Sequence, residues 1–293
     1  SFNSRLCFAV DQIKTPYAIF LPDDEFLIES CLISCIKFLN TNKDYSSCAG
    51  RSLAFSIEDS KILGHKIYEN LRDYDINYDD SIERVMMQSS PYKFQPIHSV
   101  SNVQIWKHAA LILSKLNPTP DMFELLFGFI SAYYGKLKVI PELMNLRSLE
   151  NEPINTFNWN QNYRFPKWII DSNHIKVHVD FFNNLNSSAY KLLKQPNNFS
   201  IAISNGFMLY TLKRPKKKLN LYSKVVNIIN ILFPISIVNF LKKSFRKLAN
   251  IFFKEKNISQ LLIKKCKELE NDNVKVDNNS INRIIFEITK FYN

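Results

Sequence analysis

The sequence predicts an α/β fold, and three observations carry that prediction. Helical and strand signatures alternate over the first 150 residues, in the order helix, strand, helix, strand, helix, helix, strand. The first strand, residues 17–21 (Tyr-Ala-Ile-Phe-Leu), is wholly apolar, the pattern of a buried parallel strand. The chain of 293 residues is 46% apolar and holds 23 Phe and 13 Tyr, enough for a sizeable core, which excludes a disordered tail or a disulfide-stapled miniprotein.

Each element has a local reason. Leu6, Ala9, Val10 and Ile13 recur at helical spacing over residues 4–14, and Thr15-Pro16 stops that helix. The strand at 17–21 ends in Pro22-Asp23-Asp24-Glu25. A helix over 26–40 follows, with Leu27, Cys31, Ile33, Cys35 and Phe38 mostly on one side. Residues 46–57 read as a second strand through Gly50-Arg51. Residues 58–100 are polar and irregular. Ser101 is placed to cap a helix running through Trp106 to Leu116, and Asn117-Pro-Thr-Pro ends it. Asp121 caps a helix over 122–134, Gly135 closes it, and 137–140 form a third strand. Beyond Arg147 the pattern weakens into Asn-rich loops. Helical signals return over 219–254, 257–270 and 280–292.

Composition excludes several chemistries. The five glycines are at least seven residues apart, so no Gly-rich phosphate loop and no nucleophile elbow exists. The five cysteines are odd in number and lack a C-x-x-C pair, which favours a reducing, cytoplasmic setting. The net charge is +11, and all of it is accounted for by residues 213–256, with twelve Lys or Arg against the single acid Glu255. The rest of the chain is neutral, so a nucleic-acid role is not indicated.

Asp23, Asp24 and Glu25 lie where ligands of open α/β sheets bind, beyond a strand end. Three adjacent carboxylates repel one another unless a cation shares them, and two of them can hold a divalent ion that keeps positions open for phosphates. A solvated loop capping the next helix is the plainer alternative. The series Arg5-x-x-x-Ala9, Thr15-Pro16-Tyr17, apolar strand, Asp23-Asp24-Glu25-Phe26 resembles the centre of a family 2-like, GT-A fold glycosyltransferase. The resemblance continues through Gly50-Arg51, Asp121-Met-Phe-Glu124, Gly135-Lys-Leu-Lys-Val-Ile-Pro141 and Arg147, and covers roughly residues 4–150.

The resemblance implies a partial GT-A fold and inverting transfer of a sugar from a nucleotide-sugar donor to a glycan or lipid-linked acceptor. It places Asp23 and Asp24 at the donor, with Asp23 toward the ribose, and Glu25 with Asp23 on Mn²⁺ or Mg²⁺. The family usually has Asp at the position of Glu25. Asp121 or Glu124 becomes the base, a role that suits a carboxylate on a helix's first turn; an ordinary first-turn acid favoured by the helix dipole is the other reading of Glu124. Arg51 and Arg147 become phosphate contacts, or else surface ion pairs. The family has two further strand–helix units before the acidic strand, whereas only 16 residues precede Tyr17. The 293-residue chain is therefore expected to lack part of its nucleoside pocket and to bind no nucleotide sugar alone.

Three regions follow from this reading: 1–150 as the catalytic part, 151–212 as a mixed α/β elaboration, and 213–293 as a basic helical tail. Over 219–254 a polar stripe opposes a broad apolar face that includes Val225, Ile229, Leu232, Leu241, Phe245 and Phe252. Asn227, Asn230, Pro234 and Asn239 make a membrane span costly, while the flanking lysines fit an interfacial helix on anionic lipid at the inner face of the cell membrane. His174, His178 and Asp180 alternate as in a strand and make a poor metal set. Trp106, Phe123, Phe127, Phe129, Tyr133 and Tyr134 read as core. The rival functions are a non-catalytic, membrane-surface binding protein and a hydrolase using Asp23, Glu25 and Glu124.

Overall fold

A computed structural model of the chain describes residues 2–58, 61–115, 120–150, 196–213 and 260–292, together with positions 176, 179, 180 and 183. The elements in order are α1 (Phe2–Asp11), β1 (Tyr17–Ala18), β2 (Glu25–Leu27), α2 (Glu29–Thr41), β3 (Tyr45–Glu58), β4 (Lys61–Lys66), β5 (Asp75–Ile76), α3 (Ser81–Ser89), β6 (Val100–Asn102), α4 (Val103–Lys115), α5 (Pro120–Tyr134), β7 (Lys136–Ser148), α6 (Pro196–Lys213), β8 (Gln260–Leu261), α7 (Leu262–Asn271) and α8 (Asn278–Tyr292). The architecture is mixed α/β, as predicted. Residues 1–213 and 260–293 form one compact unit and 214–259 a second. The second unit, the predicted helix over 219–254 and most of 151–212 lie outside the described residues. Among the described residues no helix is long and apolar enough to cross a membrane.

Strands β3 and β7 run parallel and form the spine of a mixed sheet. The path β1-β6-β3-β4-β8 lies on one side of this pair, while β5 and β2 add to the other edge of β7. Both long strands serve two cores. Early in them, Cys48, Ala49, Leu137 and Val139 pack with α2, α4 and α5 through Cys31, Cys35, Trp106, Phe127 and Ile130. Later, Leu53, Phe55, Leu143 and Leu146 pack with α7 and α8 through Leu262, Cys266, Ile281 and Ile288. The switch falls at the register shifts around Ala49, Arg51 and Ser52, where β7 carries the extra residues. Gly50 is required there: a Cβ would collide with the Glu142 carbonyl oxygen and lie 2.6 Å from Cys31 Sγ.

Several local expectations are corrected. The apolar segment 17–21 contributes only a two-residue strand, antiparallel to β6 at the end of the sheet path rather than buried and parallel. Its apolar residues instead line a groove with α1 and Trp106. Residues 25–27 form β2 rather than the start of α2, because β7 offers them an edge. Ser101 lies in β6, and Asn102 caps α4 by accepting from Gln104 N at 2.9 Å. The polar stretch 58–100 holds β4, β5 and α3. The start of α3 is marked by Asp80, which accepts from Glu83 N at 2.8 Å. β7 continues through Pro141 to Ser148; the proline falls between the stretches paired with β5 and with β2, where no ladder N–H is needed.

Arg84 of α3 ties the helical layer together. Only 7% exposed, it donates from Nε to Ala132 O at 2.8 Å and from Nη2 to Tyr133 O at 3.0 Å. These are carbonyls at the C-terminal end of α5, where a buried cation complements the helix dipole. Its Nη1 bonds the carbonyls of Tyr78 and Asp79.

Candidate functional site

The site is built from the antiparallel pairing of β2 with β7. Glu25 lies opposite Arg147, and Asn145, two residues back along β7, shares the same face. Glu25 is buried; its Oε2 accepts from Asn145 Nδ2 at 2.5 Å, and its Oε1 lies 3.5 Å from Arg147 Nε. Arg147 also donates from Nη1 to the Tyr68 hydroxyl at 2.9 Å. Tyr68 holds a left-handed backbone with φ 53°, uncommon for a bulky residue and costing on the order of 1 kcal/mol.

These groups share the wall of a cavity of about 40 Å³ with Ser52, Lys93, Gln95 and His98, and with the apolar residues Ala49, Leu71, Phe94 and Met144. That volume admits a few waters or one small polar group, far less than the roughly 300–1,000 Å³ that encloses a drug-sized ligand. His98 sits at the end of the 3-10 turn Pro96–His98, and its Nδ1 is buried with no hydrogen-bond partner. Burial pushes its pKa below the ordinary value, with Glu25 opposing that shift and Arg147 adding to it. Gln95 donates from Nε2 to Glu124 Oε1 at 3.1 Å, so Glu124 of α5 is one hydrogen bond removed from the cavity.

The structure brings some of the expected residues together and separates others. Glu25 and Arg147 share the cavity, and Glu124 reaches it through Gln95. Asp121 lies in the first turn of α5. Asp23 and Asp24 open into a different groove, about 720 Å³, with Phe26, Phe55 and α8 residues Glu287 and Phe291. As placed, Asp23 and Glu25 do not form one ligand set. Among the described residues no group of three or more His, Cys, Asp or Glu is arranged to hold a metal ion. Arg51, on β3, is absent from the cavity wall. Burial foremost, then Arg72, lowers its pKa, while Asp73, Asp272 and Glu69 oppose the shift. Sequence reasoning missed His98, Gln95, Tyr68 and Asn145. Of these only Asn145 carried a signal, a polar residue two positions from Arg147 inside an apolar strand.

No protein-family model matches the chain, and no curated protein is significantly similar to it. Fold and site define a mixed α/β protein with a buried glutamate paired to a half-exposed arginine at a small cavity.

Proposed function

We propose that the protein is a glycosyltransferase that moves a sugar from a nucleotide-sugar donor to a surface-glycan or lipid-linked acceptor. The observation that carries this reading is the convergence of Glu25 and Arg147 at one cavity, with Glu124 one hydrogen bond away through Gln95, although Glu25 is about a hundred residues or more from the other two in the chain. In the reaction the acceptor oxygen attacks the anomeric carbon as the bond to the diphosphate breaks, which inverts that carbon. Glu124 accepts the acceptor's proton, and Arg147 holds the departing phosphate charge. The basic segment 213–256 supports a peripheral position on anionic lipid at the cytoplasmic face.

The test is transfer from UDP- and GDP-sugars, with and without Mn²⁺, by the purified protein. Turnover supports the reading; its absence with every donor refutes it. One observation favours the rival, a non-catalytic binding protein on this fold: both Glu25 oxygens are engaged within the protein and the cavity is small. Ligand retention without turnover is the outcome that selects the rival.

A further inference from the structure

Between α1 and the segment around β1 lies an apolar groove of about 440 Å³, within the roughly 300–1,000 Å³ that encloses a drug-sized ligand. Leu6, Val10 and Ile13 of α1 line it together with Ile19, Phe20 and Trp106. Trp106 Nε1 donates to Ala18 O at 3.3 Å, so the polar edge of the indole is already satisfied and the groove receives its carbon surface. Arg5 is the only polar residue among the described residues of the wall. It is exposed and forms no ion pair among the described residues. Residues 5–13 extend the wall over about 12 Å of helix axis. Large apolar side chains stand beside it in solvent: Phe8, one turn along α1 from Arg5, is 69% exposed, and Leu21 is 49% exposed.

Chemistry and position narrow the occupant. A free sugar or phosphate gains nothing from an apolar wall, and a plain hydrocarbon gains nothing from Arg5. An amphiphile with an anionic head matches both, because the chain removes apolar surface from water while the guanidinium fork binds phosphate oxygens in pairs. Phe20 fixes where the groove lies. Its N–H donates to Ile97 O at 3.4 Å, and its ring centroid is 6.2 Å from that of His98. His98 lines the cavity that also holds Glu25 and Arg147. The groove thus abuts the candidate site, with one pair of rings between them.

We propose that this groove binds the hydrocarbon chain of a lipid phosphate, with Arg5 on the phosphate, and that the acceptor is lipid-linked rather than a free glycan. The acceptor assignment rests on the glycosyl-transfer reading; the lipid site does not.

The experiment is calorimetry of the full chain with dodecyl phosphate in one arm and dodecyltrimethylammonium in the other, both below the concentration at which they form micelles. Dodecyl phosphate should bind the more tightly. Ala9→Phe, at an exposed helical position in the groove wall, fills the groove and should weaken binding by about tenfold or more. Arg5→Gln should weaken dodecyl phosphate about tenfold, and Arg5→Glu should reverse the preference between the two heads. Equal affinity in Ala9→Phe and wild type places the lipid elsewhere, the basic segment 213–256 included, and overturns the proposal. So does an unchanged preference in Arg5→Glu, or no binding in either arm. Self-association of the wild type that Ala9→Phe abolishes, without lipid binding, assigns the groove to a second copy and also overturns it. A transfer assay separates the two readings. Ala9→Phe should slow transfer to a sugar linked to dodecyl phosphate and leave transfer to the same sugar without the chain unchanged; an equal effect on both acceptors overturns the acceptor assignment. Lipid binding without any transfer overturns the transfer reading alone, and transfer without lipid binding overturns the groove alone.

Discussion

His108 makes the structure's pH dependence calculable. It lies on α4 and is 1% exposed. Its ring stacks on Phe199 with centroids 4.9 Å apart, its Nδ1 lies 2.9 Å from the Tyr134 hydroxyl, and its Nε2 is buried without a partner. Burial pushes its pKa down to about 4, against an ordinary value of about 6.5. The folded protein therefore binds fewer protons than the unfolded chain between those values, and stability falls as pH drops through that window. At pH 5 the unfolded imidazole is almost wholly charged while the folded one is about nine-tenths neutral. The loss between pH 7 and pH 5 is about 2 kcal/mol, or roughly 4–8 °C in Tm for a unit of this size. His108→Phe removes the titration and keeps the stacking, and Tyr134, 37% exposed, can turn its hydroxyl to water. Urea unfolding of both proteins from pH 7 to pH 5 checks the figure. The wild type should lose about 2 kcal/mol more than the variant. Two stability curves that run parallel across that range would refute the assignment of a buried, neutral His108.

Arg84→Met should cost roughly 3–5 kcal/mol, because four carbonyls lose their donor in a buried setting. A fall in the urea midpoint corresponding to less than about 1 kcal/mol would show that α3 and α5 do not depend on it. Deleting 213–256 removes a net charge of +11 and should release the protein from anionic liposomes, whose binding by the intact chain should weaken as salt rises. Liposome binding that survives the deletion would remove the membrane role from that segment.

The long-range pairing of β2 with β7 marks where the sequence stopped being legible. Periodicity was enough for α2, α4, α5 and the body of β3, because each is long and presents one apolar face to a core. It was not enough for β2 or β5, which are two or three residues long and are strands only because β7 provides the partner. The same limit applies to the site. The acidic run at a strand end drew attention to Asp23, Asp24 and Glu25, but alternation along β2 sends Glu25 to one cavity while the preceding turn faces another. His98 and Tyr68 carry no local signature; they matter through contacts with residues some fifty to eighty positions away, including the Arg147–Tyr68 bond.

The most direct test of glycosyl transfer at this site is Glu124→Gln, which keeps the shape and the Gln95 neighbour while removing the proton acceptor. The account predicts that kcat for sugar transfer falls by roughly 10²–10⁴ with donor binding little changed. Transfer at the wild-type rate in Glu124→Gln would contradict it.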